Sequence, residues 1–220
     1  VKTRGVSKRS KSAGVVETNM NICMAQINTF VGDYDGNVRR VLEVTHRAKA
    51  QLNANLIVFP ELTLTGYPPE DLLMRSDISE RTESAISALL KDLPQDMTVI
   101  VGYPRKRKDK LFNSAGVIQS GRLVAEYDKQ YLPNYQVFDE KRYFESGCAS
   151  CVVDIGGISF GLSICEDIWN AEPALKAQKA GAQCLLNLNA SPFHKGKLRE
   201  RIAVVSARAK ALCLPIIYVN

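Results

Sequence analysis

From Asn21 onward, short apolar runs alternate with segments whose apolar residues recur at helical spacing. "NICMAQIN" predicts a strand. A helix then starts at Asp35 or Asn37 and carries Val38, Val41, Leu42, Thr45, Ala48 and Leu52 on one face. "NLIVFPE" predicts a buried strand. After a loop containing Gly66, Pro68 and Pro69, a second helix is marked by Ile78, Ile86, Leu89, Leu90 and Leu93, and "MTVIVGY" predicts another strand. The middle of the chain changes rhythm: "SAGVIQS", a Ser120-Gly121 turn and "RLVAEYD" form one expected hairpin, and "CVVDI", Gly156-Gly157 and "ISFGLSIC" a second. Alternation then returns with a helix within 171–180, the strand "CLLNLNA", a helix over about 197–212 and the strand "PIIYVN". Helices that alternate with strands must cover sheet layers, and the hairpins make the sheets mixed. The expected class is α/β, or α+β by a stricter definition.

Composition narrows this picture without changing it. The chain has 220 residues, 45% hydrophobic and 24% charged, enough for one domain with a substantial core. No apolar run approaches the ~18 residues that cross a bilayer, and the basic N-terminus lacks the apolar stretch of a secretory signal, so a cytoplasmic protein without a membrane partner is expected. The six cysteines (Cys23, Cys148, Cys151, Cys165, Cys184, Cys213) show no disulfide framework and are expected to be reduced. Cys148 and Cys151 form a C-x-x-C, but His46 and His194 are the only histidines, so no metal site is expected. The net charge of +6 is concentrated in Val1 to Lys11 and in "RKRKDK", Arg105 to Lys110. Without interleaved aromatics or a recognition motif these runs are read as a leader and a solvated hairpin tip, not as a nucleic-acid surface. Residues 1–19 precede the first strand-like run and are expected to lie outside the fold, leaving 20–220 as the domain.

Candidate chemistry sits where apolar strands end. "LIVFP" delivers Glu61, "FGLSI" delivers Cys165 and "CLLNLNA" delivers Ser191; if these strands share a sheet and a direction, the three side chains converge. A carboxylate at the end of a buried run must be paired, solvated in a cleft or kept protonated. Cys165 is followed by Glu166 and Asp167, which disfavour a thiolate, so a useful nucleophile needs partners from elsewhere in the chain. Lys129, placed after a strand among Tyr127, Tyr131, Tyr135, Phe138 and Tyr143, supplies a cation that could sit beside a thiolate and a developing oxyanion, or could be an exposed lysine against aromatic faces. Asp167 is left without a role.

Three ordered motifs, Glu61 in "FPELTLTGYPPEDLL", Lys129 in "YDKQYLPNYQVFDEKRYF" and Cys165 in "GLSICEDIW", resemble the Glu-Lys-Cys triad of the nitrilase superfamily of carbon–nitrogen hydrolases. "GYPPEDLL" and "NASPFHKGK" are similar to its branch of glutamine-hydrolysing amidase domains in NAD synthetases. The resemblance implies a four-layer α-β-β-α sandwich, truncated here at the C-terminus. It implies Cys165 as nucleophile, Glu61 as general base and acid, Lys129 as oxyanion stabiliser, and Glu140 as the glutamate that orients the lysine. By the same resemblance Glu166, Ser191 and Lys197 help hold the substrate, and Tyr67, Tyr135 and Phe138 are candidates for the pocket wall, where each could equally be an ordinary core aromatic.

The resemblance further implies glutamine as substrate, a C-terminal ATP-dependent synthetase domain as partner, and a homo-oligomer. No cofactor is expected in this domain. ATP and Mg2+ belong to the synthetase half, whose S-G-G-x-D-S loop does not occur in this sequence. A segment separated from that half is expected to be weakly active or inactive. A free-standing amidase acting on another small amide is the alternative.

Overall fold

The computed structural model describes residues 19–135, 138–192 and 194–220. The expected leader, residues 1–19, therefore lies outside the described residues except for Asn19. The element order is β1 (Ile22–Met24), α1 (Tyr34–Leu52), β2 (Leu56–Val58), α2 (Ile78–Asp92), β3 (Thr98–Arg107), β4 (Lys110–Gln119), β5 (Arg122–Asp128), β6 (Val152–Ile155), β7 (Ile158–Ile164), α3 (Ala171–Lys179), β8 (Cys184–Leu188), α4 (Lys197–Leu212) and β9 (Ile216–Val219). Helix α1 starts before either expected position. Asp33 accepts a hydrogen bond from the Gly36 N–H at 2.9 Å and caps the helix, while the Asn37 amide is buried inside it and donates to the carbonyls of Phe30 and Leu64.

The strands form two sheets, ordered β1-β2-β3-β4-β5 and β6-β7-β8-β9. In the first, β1, β2 and β3 run parallel and β3, β4 and β5 antiparallel; in the second, β6 and β7 are antiparallel and β7, β8 and β9 parallel. Period-two alternation then builds the layers. Ile57 of β2, Phe59 just after it, and Val99 and Val101 of β3 pack with Val38, Val41 and Ala48 of α1 and Leu89 of α2. Their neighbours Leu56, Val58 and Ile100 face the other way, onto Phe160, Leu162, Ile164, Leu186 and Leu188 of the second sheet. The far side of that sheet offers Leu185 to Ala174 and Ala177 of α3 and Leu212 of α4. The result is the expected α-β-β-α order.

This layering corrects one premise of the convergence argument. Strand β2, which leads to Glu61, belongs to the first sheet, whereas β7 and β8, which lead to Cys165 and Ser191, are parallel neighbours in the second. The chain ends of β2 and β8 instead meet across the interface: the Glu61 N–H donates to the Asn189 carbonyl at 3.3 Å, and the Ala190 N–H donates to the Glu61 carboxylate at 3.0 Å. Gly102 of β3 makes the approach possible. A Cβ there would lie 2.7 Å from the Pro60 carbonyl oxygen and 2.9 Å from the Glu61 carbonyl carbon, so only glycine lets the 60–62 backbone cross this strand.

"RKRKDK" closes the β3–β4 hairpin, with Lys106, Arg107 and Lys108 exposed as expected of a tip. Arg105 turns back to pair with Glu126 at 3.1 Å and Asp128 at 3.3 Å. Among the described residues no helix is long and apolar enough to cross a membrane.

Candidate active site

Each predicted triad residue sits just beyond a strand that aims it at the gap between the sheets. Glu61 follows β2, Lys129 follows β5 and Cys165 follows β7. Lys129 is pinned through its backbone, its N–H donating to the Asn113 carbonyl and its own carbonyl accepting from the Gly147 N–H, both at 2.8 Å. Cys165 has a left-handed φ of 45°, a conformation that costs a non-glycine residue about 1–3 kcal/mol. That bend turns the chain out of β7 into a 3-10 turn over Cys165–Trp169, with the thiol buried at its start.

The side chains form one buried polar cluster. The Lys129 ammonium is fully buried and donates to Glu61 Oε1 at 2.7 Å and to both carboxylate oxygens of Glu140 at 2.8 Å. Glu140, in the 3-10 turn Glu140–Arg142, is thus brought to the lysine. Of the three environments left open for Glu61, pairing is the one observed. Its Oε1 also accepts from Asn113 Nδ2 at 2.8 Å, leaving Oε2, which accepts only the Ala190 N–H among the described hydrogen bonds, as the better placed oxygen for a further proton.

The electrostatics follow from one fully buried lysine facing two buried carboxylates. Burial alone would lower the Lys129 pKa, but Glu61 and Glu140 reverse this and hold the ammonium charged well above its ordinary range. Burial pushes Glu140 up to about 7; Lys129 pulls against that shift and Glu61 adds to it. Burial, and next to it the Glu61 charge, also raises the Cys165 thiol well above its ordinary value, with Lys129 opposing. The Cys165 side chain therefore rests as a neutral thiol, not as a preformed thiolate paired with the lysine. Much of the lysine's charge is already matched by carboxylates.

A pH dependence of stability follows from Glu140. Its proton is retained in the folded chain and released in the unfolded one between the ordinary value of 4.5 and about 7, so stability is greatest below that window and falls as pH rises through it. Asp167, buried and raised to about 6, acts with the same sign but is titrated earlier. Urea unfolding of Glu140→Gln should therefore be flatter than wild type between about pH 6 and 7. An unchanged slope there would contradict the assignment.

The remaining predicted residues are distributed around the cluster. Tyr67 is near enough to the triad that burial, then Glu61 and Glu140, raise its hydroxyl pKa. Tyr67 and Phe138 line a cleft of about 440 Å³ that opens onto Glu61 and is completed by Ile27, Asn189 and Ala190. Tyr135 is half exposed, donates to Glu166 Oε2 at 2.9 Å and meets the Phe138 ring edge-on at 5.7 Å. Ser191 is held by its backbone, donating to Asn220 Oδ1 at 2.8 Å and accepting from Arg201 at 2.8 Å. Lys197 lies 4.4 Å from the ring centroid of Trp169, which ends the turn begun by Cys165, and 3.4 Å from Glu200. Another hollow, of about 380 Å³, lies along the β5 edge away from Glu61, and its arginines 105 and 107 are paired with Glu126 and Asp128.

Sequence reasoning missed Asn113. It is fully buried, donates to Glu61 and accepts the Lys129 N–H, so it couples base and cation. The available signal was an amide, next to Ser114, inside a run whose other residues are apolar, "LFNSAGVI".

The profile described as carbon-nitrogen hydrolase matches residues 21–220. The chain belongs to the carbon–nitrogen hydrolase family. Among relatives of this carbon–nitrogen hydrolase, the glutamine-dependent NAD(+) synthetase of Xanthomonas campestris pv. campestris is 38% identical over 210 residues, covering 94% of this chain and 38% of that protein. The solved glutamine-dependent NAD+ synthetase of Acinetobacter baumannii, in complex with adenosine diphosphate, is 38% identical with a TM-score of 0.87 over 90% of this chain and 38% of its own. An amidase from Nesterenkonia sp., of the nitrilase superfamily, is 24% identical with a TM-score of 0.81 over 91% of this chain and 75% of its own, a likeness of fold. The four layers are thus those of the nitrilase-type fold. The chain spans about 38% of the length of the Xanthomonas relative.

Proposed function

We propose that this carbon–nitrogen hydrolase is the glutamine-hydrolysing portion of a glutamine-dependent NAD synthetase. The observation that carries the chemistry is Lys129 clamped between Glu61 and Glu140 beside a buried thiol. Glutamine as the amide is supported by relatives at 38% identity over most of the chain.

Because the resting thiol is neutral, Glu61 takes its proton as sulfur attacks the side-chain carbonyl carbon of glutamine. The new S–C bond gives a tetrahedral oxyanion, which Lys129 and the backbone N–H of Glu166, in the first turn after β7, stabilise. Glu61 returns the proton to the amide nitrogen, the C–N bond breaks and ammonia leaves a glutamyl thioester. Water then gives a proton to Glu61 and adds to the thioester; glutamate departs as the thiolate is reprotonated. Glu140 holds the lysine in place. Glu166, Ser191 and Lys197 are assigned to the charged α-groups of glutamine, and Tyr67, Tyr135 and Phe138 to the walls.

The ammonia amidates nicotinic acid adenine dinucleotide in a synthetase domain of the same protein, where ATP and Mg2+ act, in a cytoplasmic homo-oligomer. Residues 20–220 form the amidase unit of this arrangement. Ammonia release from a panel of glutamine, asparagine and small aliphatic amides tests the reading, with this chain and the full-length protein assayed side by side. Glutamine is expected to give the highest kcat/KM. Preference for another amide in both would favour a free-standing type of amidase instead.

A further inference from the structure

The mechanism above leaves one fully buried carboxylate unused. Asp167 lies in the 3-10 turn that begins with Cys165, and its side chain accepts four hydrogen bonds. Oδ2 takes the Ile164 N–H at 3.0 Å and the Tyr127 hydroxyl at 2.8 Å; Oδ1 takes the N–H groups of Gln130 at 3.0 Å and Tyr131 at 2.8 Å. A carboxylate has about four acceptor positions, and all are filled.

The partners matter more than their number. Ile164 immediately precedes Cys165, and Gln130 and Tyr131 immediately follow Lys129. A turn needs only the Ile164 bond to cap itself. The other three reach from the end of β7, in one sheet, to the segment at and just beyond the end of β5, in the other. Tyr127 and Gln130 are themselves cross-linked, Gln130 Nε2 donating to the Tyr127 hydroxyl at 3.1 Å.

We infer that Asp167 is a positioning residue that sets the separation of Cys165 from Lys129 and, through the lysine, from Glu61. The inference rests on Cys165 being the nucleophile and does not depend on which amide is hydrolysed. Asparagine in its place would keep one acceptor oxygen and turn an N–H2 group toward two of the donors. The Tyr127 hydroxyl can rotate to accept from it; a backbone N–H cannot. Depending on which way the amide turns, either the Ile164 bond beside Cys165 is lost or both the Gln130 and Tyr131 bonds beside Lys129 are.

Alkylation by iodoacetamide tests this without requiring glutamine recognition: an S–C bond forms, iodide leaves, and the thiol proton passes to Glu61. Peptide mass spectrometry reads three cysteines in each molecule, with exposed Cys213 as a control for reagent and buried Cys184 as a control for unfolding. In Asp167→Asn, Cys165 is expected to react at least ~10-fold more slowly than in wild type, because misplacement by a fraction of an ångström separates it from its base. Cys213 is expected to react as before and Cys184 to stay protected. Tyr127→Phe, which removes one of the four donors and keeps the ring packed, should slow Cys165 less, in the same direction.

Wild-type rates at Cys165 in both folded variants, or a faster rate there, would overturn the inference. If Asp167→Asn exposes Cys184 and Tyr127→Phe behaves as wild type, the carboxylate serves folding alone and the inference fails. A wild-type Cys165 no more reactive than Cys184 would remove the nucleophile itself. A reactive Cys165 with no preference for glutamine would sink only the assigned substrate.

Discussion

Replacing Cys165 by alanine is expected to lower ammonia release from glutamine by at least ~10³-fold, the scale seen when a covalent nucleophile is removed. The lysine and both glutamates would remain in place, but no side chain could form the thioester. Loss of one buried sulfur should cost about 1 kcal/mol, comparable to a buried methylene, so the chain should still fold. In the full-length synthetase that this chain is proposed to belong to, glutamine-driven amidation should vanish while amidation from added ammonia survives. Equal loss of both would assign Cys165 to structure or to another step.

Replacing Lys129 by methionine should damage both activity and stability, because the ammonium is the shared partner of two buried carboxylates. Methionine fills nearly the same space and leaves Glu61 and Glu140 facing each other without a cation. Removing one partner of a buried ion pair typically costs about 3–5 kcal/mol, which in a domain of this size lowers Tm by roughly 10 °C or more. The double variant Lys129→Met with Glu140→Gln should recover part of that stability by deleting one of the opposed charges, and none of the activity. Full recovery of activity would show that the lysine serves only to neutralise Glu140. An unchanged Tm in the single variant would contradict its place as the hub of the cluster.

Much of the architecture was legible because it is written in local periodicity. The runs that became β7 and β8, the turns at Ser120-Gly121 and Gly156-Gly157, and the helices over 171–179 and 197–212 follow from spacing and turn residues within a few positions. Which strands share a sheet is not local. The convergence of Glu61 and Cys165 was made conditional on a shared sheet, and they converge between two, since pairing partners are chosen by packing of the whole interior.

The site shows the same division. Glu61, Lys129, Glu140 and Cys165 were accessible because their motifs resemble a family pattern. Asn113 and Asp167 were not, although the first touches Glu61 directly and the second ties together the segments bearing Cys165 and Lys129. Both are polar residues whose value lies in backbone groups brought close by tertiary folding, and a buried amide or acid in a sequence does not say whose donors will surround it. The thiol's protonation was equally hidden. The cation that the sequence offered either to a thiolate or to aromatic faces is hydrogen-bonded to two carboxylates, and burial decides the balance.

The central claim is that Cys165 is the nucleophile of a glutamine amidase, and site-resolved mass spectrometry after treatment with a chloroketone analogue of glutamine tests it most directly. The account predicts one adduct per chain, on Cys165, whose formation is slowed by glutamine and not by asparagine. Labelling of any of the other five cysteines in preference to Cys165, or labelling that glutamine does not slow, would contradict it.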